Sequence, residues 1–198
     1  DQLREAVRLV GRVPDVGREL RRRFKVVLLD EYQDTSSAQA QLLRALFTGP
    51  PSSDAMGFPV TAVGDPYQAI YGWRGAAAGN ILEFPYQFRR GDGSPASRLT
   101  LSINRRSGQR ILDVGNALAA GLRAEPGEQG VALAAPQTAP PGAVAAATFD
   151  TFRDEVDWLV ETVIGRHATG VTWADQAVLV RRNALLAPIF EALRDLPA

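Results

Sequence analysis

The stretch VVLLDEYQDT, Val26 to Thr35, decides how the rest of the chain is read. Four apolar residues, two of them β-branched, predict a short strand buried on both faces. That strand ends on two adjacent carboxylates, Asp30 and Glu31. In open α/β sheets ligands sit off the carboxyl ends of the strands, so an acidic pair at that edge is placed to meet a metal ion or a phosphate. Neighbouring side chains diverge as a strand ends, so one carboxylate can hold a cation while the other faces a water. A plainer reading also fits the stretch: a solvated acidic turn capping the next helix, with Asp34, Thr35 and Ser36 as cap candidates.

Composition narrows the classes. A chain of 198 residues, 45% apolar and 22% charged, can bury a core as one large domain or two small lobes. No apolar run approaches the roughly 18 residues of a membrane span, and DQLREAVRLV does not read as a signal peptide. A cytoplasmic protein with no membrane partner is therefore expected. Without cysteine there is no disulfide framework and no thiolate metal site. The single histidine, His167, expected on the surface near a helix end, excludes histidine-rich metal sites and argues against a histidine triad. The formal net charge is zero, so any nucleic acid is expected in a local groove rather than on a globally basic surface. Of 22 basic residues only Lys25 is a lysine, and it lies in FKVV with no glycine loop before it, so these residues contain no Walker A.

Ahead of the strand, Leu3, Val7 and Val10 have helical spacing, Gly11 to Pro14 breaks the run, and Asp15 to Arg23 resumes it. The basic cluster RELRRRFK reads as a solvated helix end that suits the dipole, with nucleic-acid contact as the alternative. Beyond the carboxylates, Gln39 to Phe47 predict an amphipathic helix and Thr48 to Phe58 a proline- and glycine-rich loop.

A second motif, PVTAVGDPYQAIYGWRGA, runs from Pro59 to Ala76. Val60 to Val63 predict a strand ending at Gly64 and Asp65, which repeats the strand-then-acid arrangement beside the first one. Gln68, Tyr71, Trp73 and Arg74 then fall within seven residues. Large aromatics and an arginine in a glycine-flanked loop are costly to expose without a partner, and stacked bases are one such partner. The alternative is that Tyr71 and Trp73 pack under the loop.

Further on, Ala76 to Phe88 predict a helix interrupted at Pro85, and Arg98 to Ile103 alternate like a strand. Asn104 introduces a helix from Arg106 to Leu122, and Ala124 to Gly142 form a long alanine- and proline-rich loop. Ala143 to Thr148 and Ala177 to Val180 predict strands, while Asp150 to Arg166 and Leu185 to Leu193 predict helices. Strands alternating with helices predict parallel α/β layers.

Taken together the motifs resemble the UvrD/Rep-like superfamily 1 DNA helicases over most of the chain. DEYQDTS is similar to that family's Walker B motif, VGDPYQAIYGWRGA to its third and LTLSINRRS to its fourth. EVDWLV and the stretch from Trp173 to Pro197 are similar to the start of its second motor domain. The resemblance implies a RecA-like P-loop NTPase fold, a three-layer sandwich with a parallel sheet. Residues 1–97 would close the first motor lobe and residues 98–198 open the second, with the boundary near Ser97. It implies ATP and Mg²⁺ as cofactors and single-stranded DNA and single-strand/duplex junctions as partners. Asp30 would coordinate the magnesium ion, Glu31 beside it would activate the attacking water, and Gln68 would sense the γ-phosphate. Tyr71, Trp73 and Arg74 would lie against DNA, and Arg106 would be an arginine finger across the cleft.

Arg105 stands where the family usually has an adenine-stacking tyrosine. A guanidinium plane also stacks on a base, so nucleotide binding is expected with weaker adenine selectivity. The family's Walker A is expected upstream of residue 1 and its last motifs beyond Ala198, so the isolated stretch is not expected to hydrolyse ATP. The resemblance implies a translocase moving 3′ to 5′ in DNA repair or recombination. The motor of a helicase-nuclease, a non-hydrolysing DNA-binding relative and an RNA helicase stand as alternatives.

Overall fold

Val27 and Leu29 on one strand and Val60 and Ala62 on the other turn toward the same apolar cluster, and that shared face organises the first part of the chain. The computed structural model describes residues 2–50, 53–77, 79–123 and 131–194, the side chains of Arg74 and Arg123 excepted. The described chain divides into two compact units, Asp1–Ala143 and Val144–Ala198. The boundary expected near Ser97 lies inside the first unit.

In the first unit, α1 (Gln2–Arg12) and α2 (Pro14–Arg23) both pack on α3 (Ser37–Phe47). Strand β1 (Val27–Leu29) pairs in parallel with β2 (Val60–Ala62), Val27 opposite Val60 and Leu29 opposite Ala62. Their inner face meets the buried rings of Tyr32, Phe47, Phe84 and Phe88. Tyr32 meets Phe84 edge-on at 5.4 Å, and Phe84 stacks on Phe88 at 4.6 Å. Such pairs add about 0.5–1.5 kcal/mol beyond their burial.

Three arginines of the basic cluster at α2 are paired within the chain. Arg18 pairs with Asp15 and Arg22 with Glu19, while Arg21 donates to both carboxylate oxygens of Asp54 at 3.0 and 3.1 Å. Arg21 also reaches the Leu46 carbonyl, tying α2 to the end of α3 and to the loop after it.

Several expectations are corrected. β1 is not buried on both faces: Leu28 is 75% exposed, because the apolar cluster lies on the other face of the pair. Pro85 does not end its helix but sits inside α4 (Gly79–Gln87), whose exit is held by the Ala96 amide donating to the Pro85 carbonyl.

The stretches Arg98–Ile103, 143–148 and Ala177–Val180 are not strands. A single parallel bridge, Ile103 with Ala134, touches the first of them. Leu99 is 88% and Leu179 94% exposed, so neither the alternating pattern of the first nor the apolar run of the last found a ladder or a covering layer. Among the described residues the sheet is therefore two-stranded. The fold shown is mixed helix and strand built around one parallel pair.

The helix expected from Arg106 begins later, as α5 (Gln109–Arg123). The alanine- and proline-rich loop is docked along it where it is described. Asn116 exchanges two hydrogen bonds with the backbone of Leu133, the Ala135 amide donates to Gln109 Oε1, and the Arg110 amide donates to the Pro141 carbonyl. Gly108 makes this approach possible, since a Cβ there would lie 2.3 Å from the Pro140 carbonyl oxygen.

In the second unit, α6 (Phe152–Ala168) packs with α7 (Leu186–Arg194), burying Val156 and Ile189. His167, in the last turn of α6, is exposed and stacks on Trp173 at 3.7 Å. No described helix is long and apolar enough to cross a membrane.

Candidate active site

Parallel pairing in register brings the carboxyl ends of β1 and β2 side by side, so Asp30–Glu31 and Gly64–Asp65 leave the sheet at one edge. The ladder runs on past both strands. The Val63 amide donates to the Leu29 carbonyl at 2.8 Å, and the Tyr32 amide to the Val63 carbonyl at 3.0 Å. Between them the chain turns sharply at Glu31, whose φ of 49° makes it the one non-glycine residue in the left-handed region among those described. Such a conformation costs about 1–2 kcal/mol. The Glu31 amide is held by Asp30 Oδ1 at 2.9 Å, and Tyr32 behind it is fully buried. Burial raises the phenol pKa of Tyr32, an effect the nearby Arg44 charge partly opposes.

A short turn, Tyr32–Asp34, then carries Gln33 inward until it is 1% exposed. Its Nε2 donates to Glu31 Oε2 at 2.7 Å, and its Oε1 accepts from the Asp65 amide at 3.1 Å. Asp65 in turn caps the turn Pro66–Gln68. Its Oδ1 accepts from the Tyr67 amide at 2.9 Å and its Oδ2 from Gln68 Nε2 at 2.9 Å. Four residues, Glu31, Gln33, Asp65 and Gln68, thus form one hydrogen-bonded row across the two strand ends, the middle link running through the Asp65 backbone amide. Gly64 leaves the room for it, because a Cβ there would stand 2.4 Å from Gln33 Oε1.

The aromatic loop is anchored to the same segment at both ends. It starts from the Asp65-capped turn and ends where Ala76 bridges Ser36, the Ala77 amide donates to the Thr35 carbonyl, and Asn80 Nδ2 donates to that carbonyl at 2.7 Å. Within it Gly75 has φ 85°, a left-handed turn that favours glycine. Tyr71 and Trp73 lie 6.4 Å apart, and Trp73 is 75% exposed, so it does not pack beneath the loop. The side chain of Arg74 lies outside the described residues. Of the three cap candidates, Ser36 caps α3 in a reciprocal box: its Oγ accepts from the Gln39 amide, and its own amide donates to Gln39 Oε1.

Arg105 and Arg106 lie on a bend ahead of α5. Asn104 Oδ1 accepts from the amides of Arg106 and Ser107 at 2.9 and 2.8 Å, shaping a bend on which both arginines are exposed. Among the described residues no recorded hydrogen bond or ion pair joins this bend to the carboxylate edge. The structure therefore brings together Asp30, Glu31, Asp65 and Gln68 at one strand edge and anchors the loop of Tyr71 and Trp73 to the same segment.

Gln33 is the residue that sequence reasoning passed over. Its signal was a glutamine two residues after the second carboxylate, together with a glycine before the acid of the neighbouring strand.

Chemically the edge offers hard oxygen donors and a carboxylate held by a hydrogen bond. Magnesium bound to a phosphate chain takes one or two protein carboxylates and completes its shell with water and phosphate oxygens. Exposed Asp30 next to Glu31 is a donor set of that kind. No group of three or more candidate metal ligands occurs among the described residues, and a magnesium site of this type does not require one.

Residues 1–89 match the family model of the UvrD/REP helicase N-terminal domain. The chain is also 30% identical over 187 residues to the ATP-dependent DNA helicase PcrA of Staphylococcus epidermidis, and equally to that of Staphylococcus aureus. In each case the match covers 93% of this chain and 23% of the relative, so the chain spans about a quarter of the length of the curated relatives it matches.

Proposed function

We propose that this chain is part of a UvrD/Rep-like superfamily 1 helicase and that the whole protein is an ATP-driven DNA helicase. It moves 3′ to 5′ on single-stranded DNA and opens single-strand/duplex junctions, acting in the cytoplasm in DNA repair or recombination. The observation that carries the reading is the parallel strand edge at which Asp30, Glu31, Asp65 and Gln68 converge, with Trp73 displayed on a loop pinned to the same segment.

In this reading the parallel pair is part of the sheet of a RecA-like three-layer sandwich. The functional division near Ser97 separates the end of one motor lobe from the start of the next. Asp30 holds the magnesium of the bound nucleotide, with Glu31 beside it. The ion, when bound, neutralises charge on the phosphates and orients them. Glu31 accepts a proton from the attacking water, and Gln68 faces the terminal phosphate. Arg105 stacks on the base, and Arg106 offsets charge developing on the transferred group when the lobes close. Tyr71, Trp73 and Arg74 receive the DNA, stacked bases being worth about 1–3 kcal/mol each. Phosphoryl transfer asks the protein for positioning and electrostatics rather than covalent chemistry, and these residue types supply both.

The test is the ATPase rate of the full-length protein with and without single-stranded DNA, wild type beside Glu31→Gln. Strong stimulation by DNA is expected, with a fall on the order of 10²-fold or more in the variant. A protein that binds DNA but hydrolyses nothing in either form would instead be a regulatory, non-hydrolysing relative.

A further inference from the structure

Gln33 lies between the two carboxylate-bearing strand ends, and its burial and its partners define what it does there. An amide buried to 1% exposure must place both of its ends, and here each end has one chemically permitted neighbour. The Asp65 amide can only donate, so it takes Gln33 Oε1; an ionised Glu31 carboxylate can only accept, so it takes Nε2. The bond to Glu31, at 2.7 Å, is in the short range of charge-assisted hydrogen bonds. Glu31 meets it from a left-handed backbone. Gly64 meets it from the other side, where any larger residue would displace the amide.

We propose that Gln33 is a positioning residue for Glu31. One end of its amide fixes the carboxylate that acts as base, and the other fixes the Asp65–Gln68 turn, so the base and the residue facing the terminal phosphate move as one unit. The inference rests on the reading of Glu31 as base. A loose carboxylate samples orientations that do not address the attacking water, whereas one tied to the opposite strand end is held where the turn holds Gln68. Positioning of this kind lowers the barrier by geometry and leaves substrate affinity alone.

Two variants of the full-length protein test it. Gln33→Met keeps the length of the side chain and removes both hydrogen bonds. Gln33→Glu keeps an acceptor for the Asp65 amide but sets a carboxylate against Glu31, so it breaks one arm only. Both are expected to lower kcat for DNA-stimulated ATP hydrolysis roughly 10- to 100-fold. The KM for ATP and the affinity for a fluorescent oligothymidylate should stay within about twofold of wild type. Placed in the Glu31→Gln background, Gln33→Met should cost no more than about a further twofold, because the group it positions is already gone.

Wild-type kcat in both variants would overturn the proposal. So would a parallel loss of hydrolysis, DNA affinity and thermal midpoint in both, which would make Gln33 a packing residue. Full activity in Glu31→Gln, or none in wild type, would bring down the reading of the base and this inference together. The first two outcomes, with wild type active and Glu31→Gln dead, would remove the inference alone.

Discussion

At the carboxylate edge the chain supplies its own partners. Gln33 is buried between Glu31 and Asp65, Asp65 holds Gln68, and Ser36 closes the start of α3. In the aromatic loop and the Asn104–Ser107 bend the functional side chains face solvent: Trp73 is 75% exposed, and Arg105 and Arg106 are exposed on a bend whose backbone is set by Asn104. The difference separates two ways of holding a functional group. Where side chains hold one another, a substitution is felt by the fold as well as by the chemistry. Where a side chain faces solvent, a substitution is felt mainly through the ligand.

Arg106→Ala gives the largest expected effect and addresses the solvent-facing side. ATP hydrolysis by the full-length protein should fall about 10³-fold, as for loss of an arginine finger. Its thermal unfolding should move by no more than the roughly 0.5 kcal/mol typical of a surface change. A large loss of stability in this variant would break the comparison. Next, Trp73→Ala should weaken single-stranded DNA binding by about 1–3 kcal/mol, measured by fluorescence anisotropy with a labelled oligonucleotide, again with little change in stability. Unaltered DNA affinity would remove Trp73 from the interface. Smallest is Ser36→Ala on the self-partnered side, which should cost about 1 kcal/mol of stability in denaturant unfolding by opening the capping box. If DNA affinity fell while stability held, Ser36 would belong with the ligand-facing group, and the division between the two regions would have to be redrawn.

The parts that were legible before any coordinates share a physical property: they are local. A four-residue apolar run ending on two acids, repeated with Gly64–Asp65, marked two adjacent strands, and the parallel pair lies there. Helical spacing marked α1, α2, α3, α6 and α7 to within a few residues, because an amphipathic stripe is written at i, i+3 and i+4. The strands expected from the alternation of Arg98–Ile103 and from the apolar run Ala177–Val180 did not form. A strand's hydrogen bonds go to another segment, which the pattern does not name. Pro85 misled in the opposite direction. It falls late in α4, where the packing of Phe84 and Phe88 carries the helix through it.

What the sequence by itself determined is the inventory and its order: two acid-ended strands, an aromatic glycine loop, an asparagine-led arginine bend, one lysine and no cysteine. These are properties of residue type and spacing, and they point to a chemistry without any contact being known. Only the tertiary structure decided that Gln33 joins the two acids, that Trp73 faces outward, that the described part of the alanine- and proline-rich loop lies along α5, and that Leu28 is left uncovered. Each of these depends on which residues from distant parts of the chain come within about 3–4 Å of one another, and short-range forces such as hydrogen bonding and packing exist only once that meeting has been made.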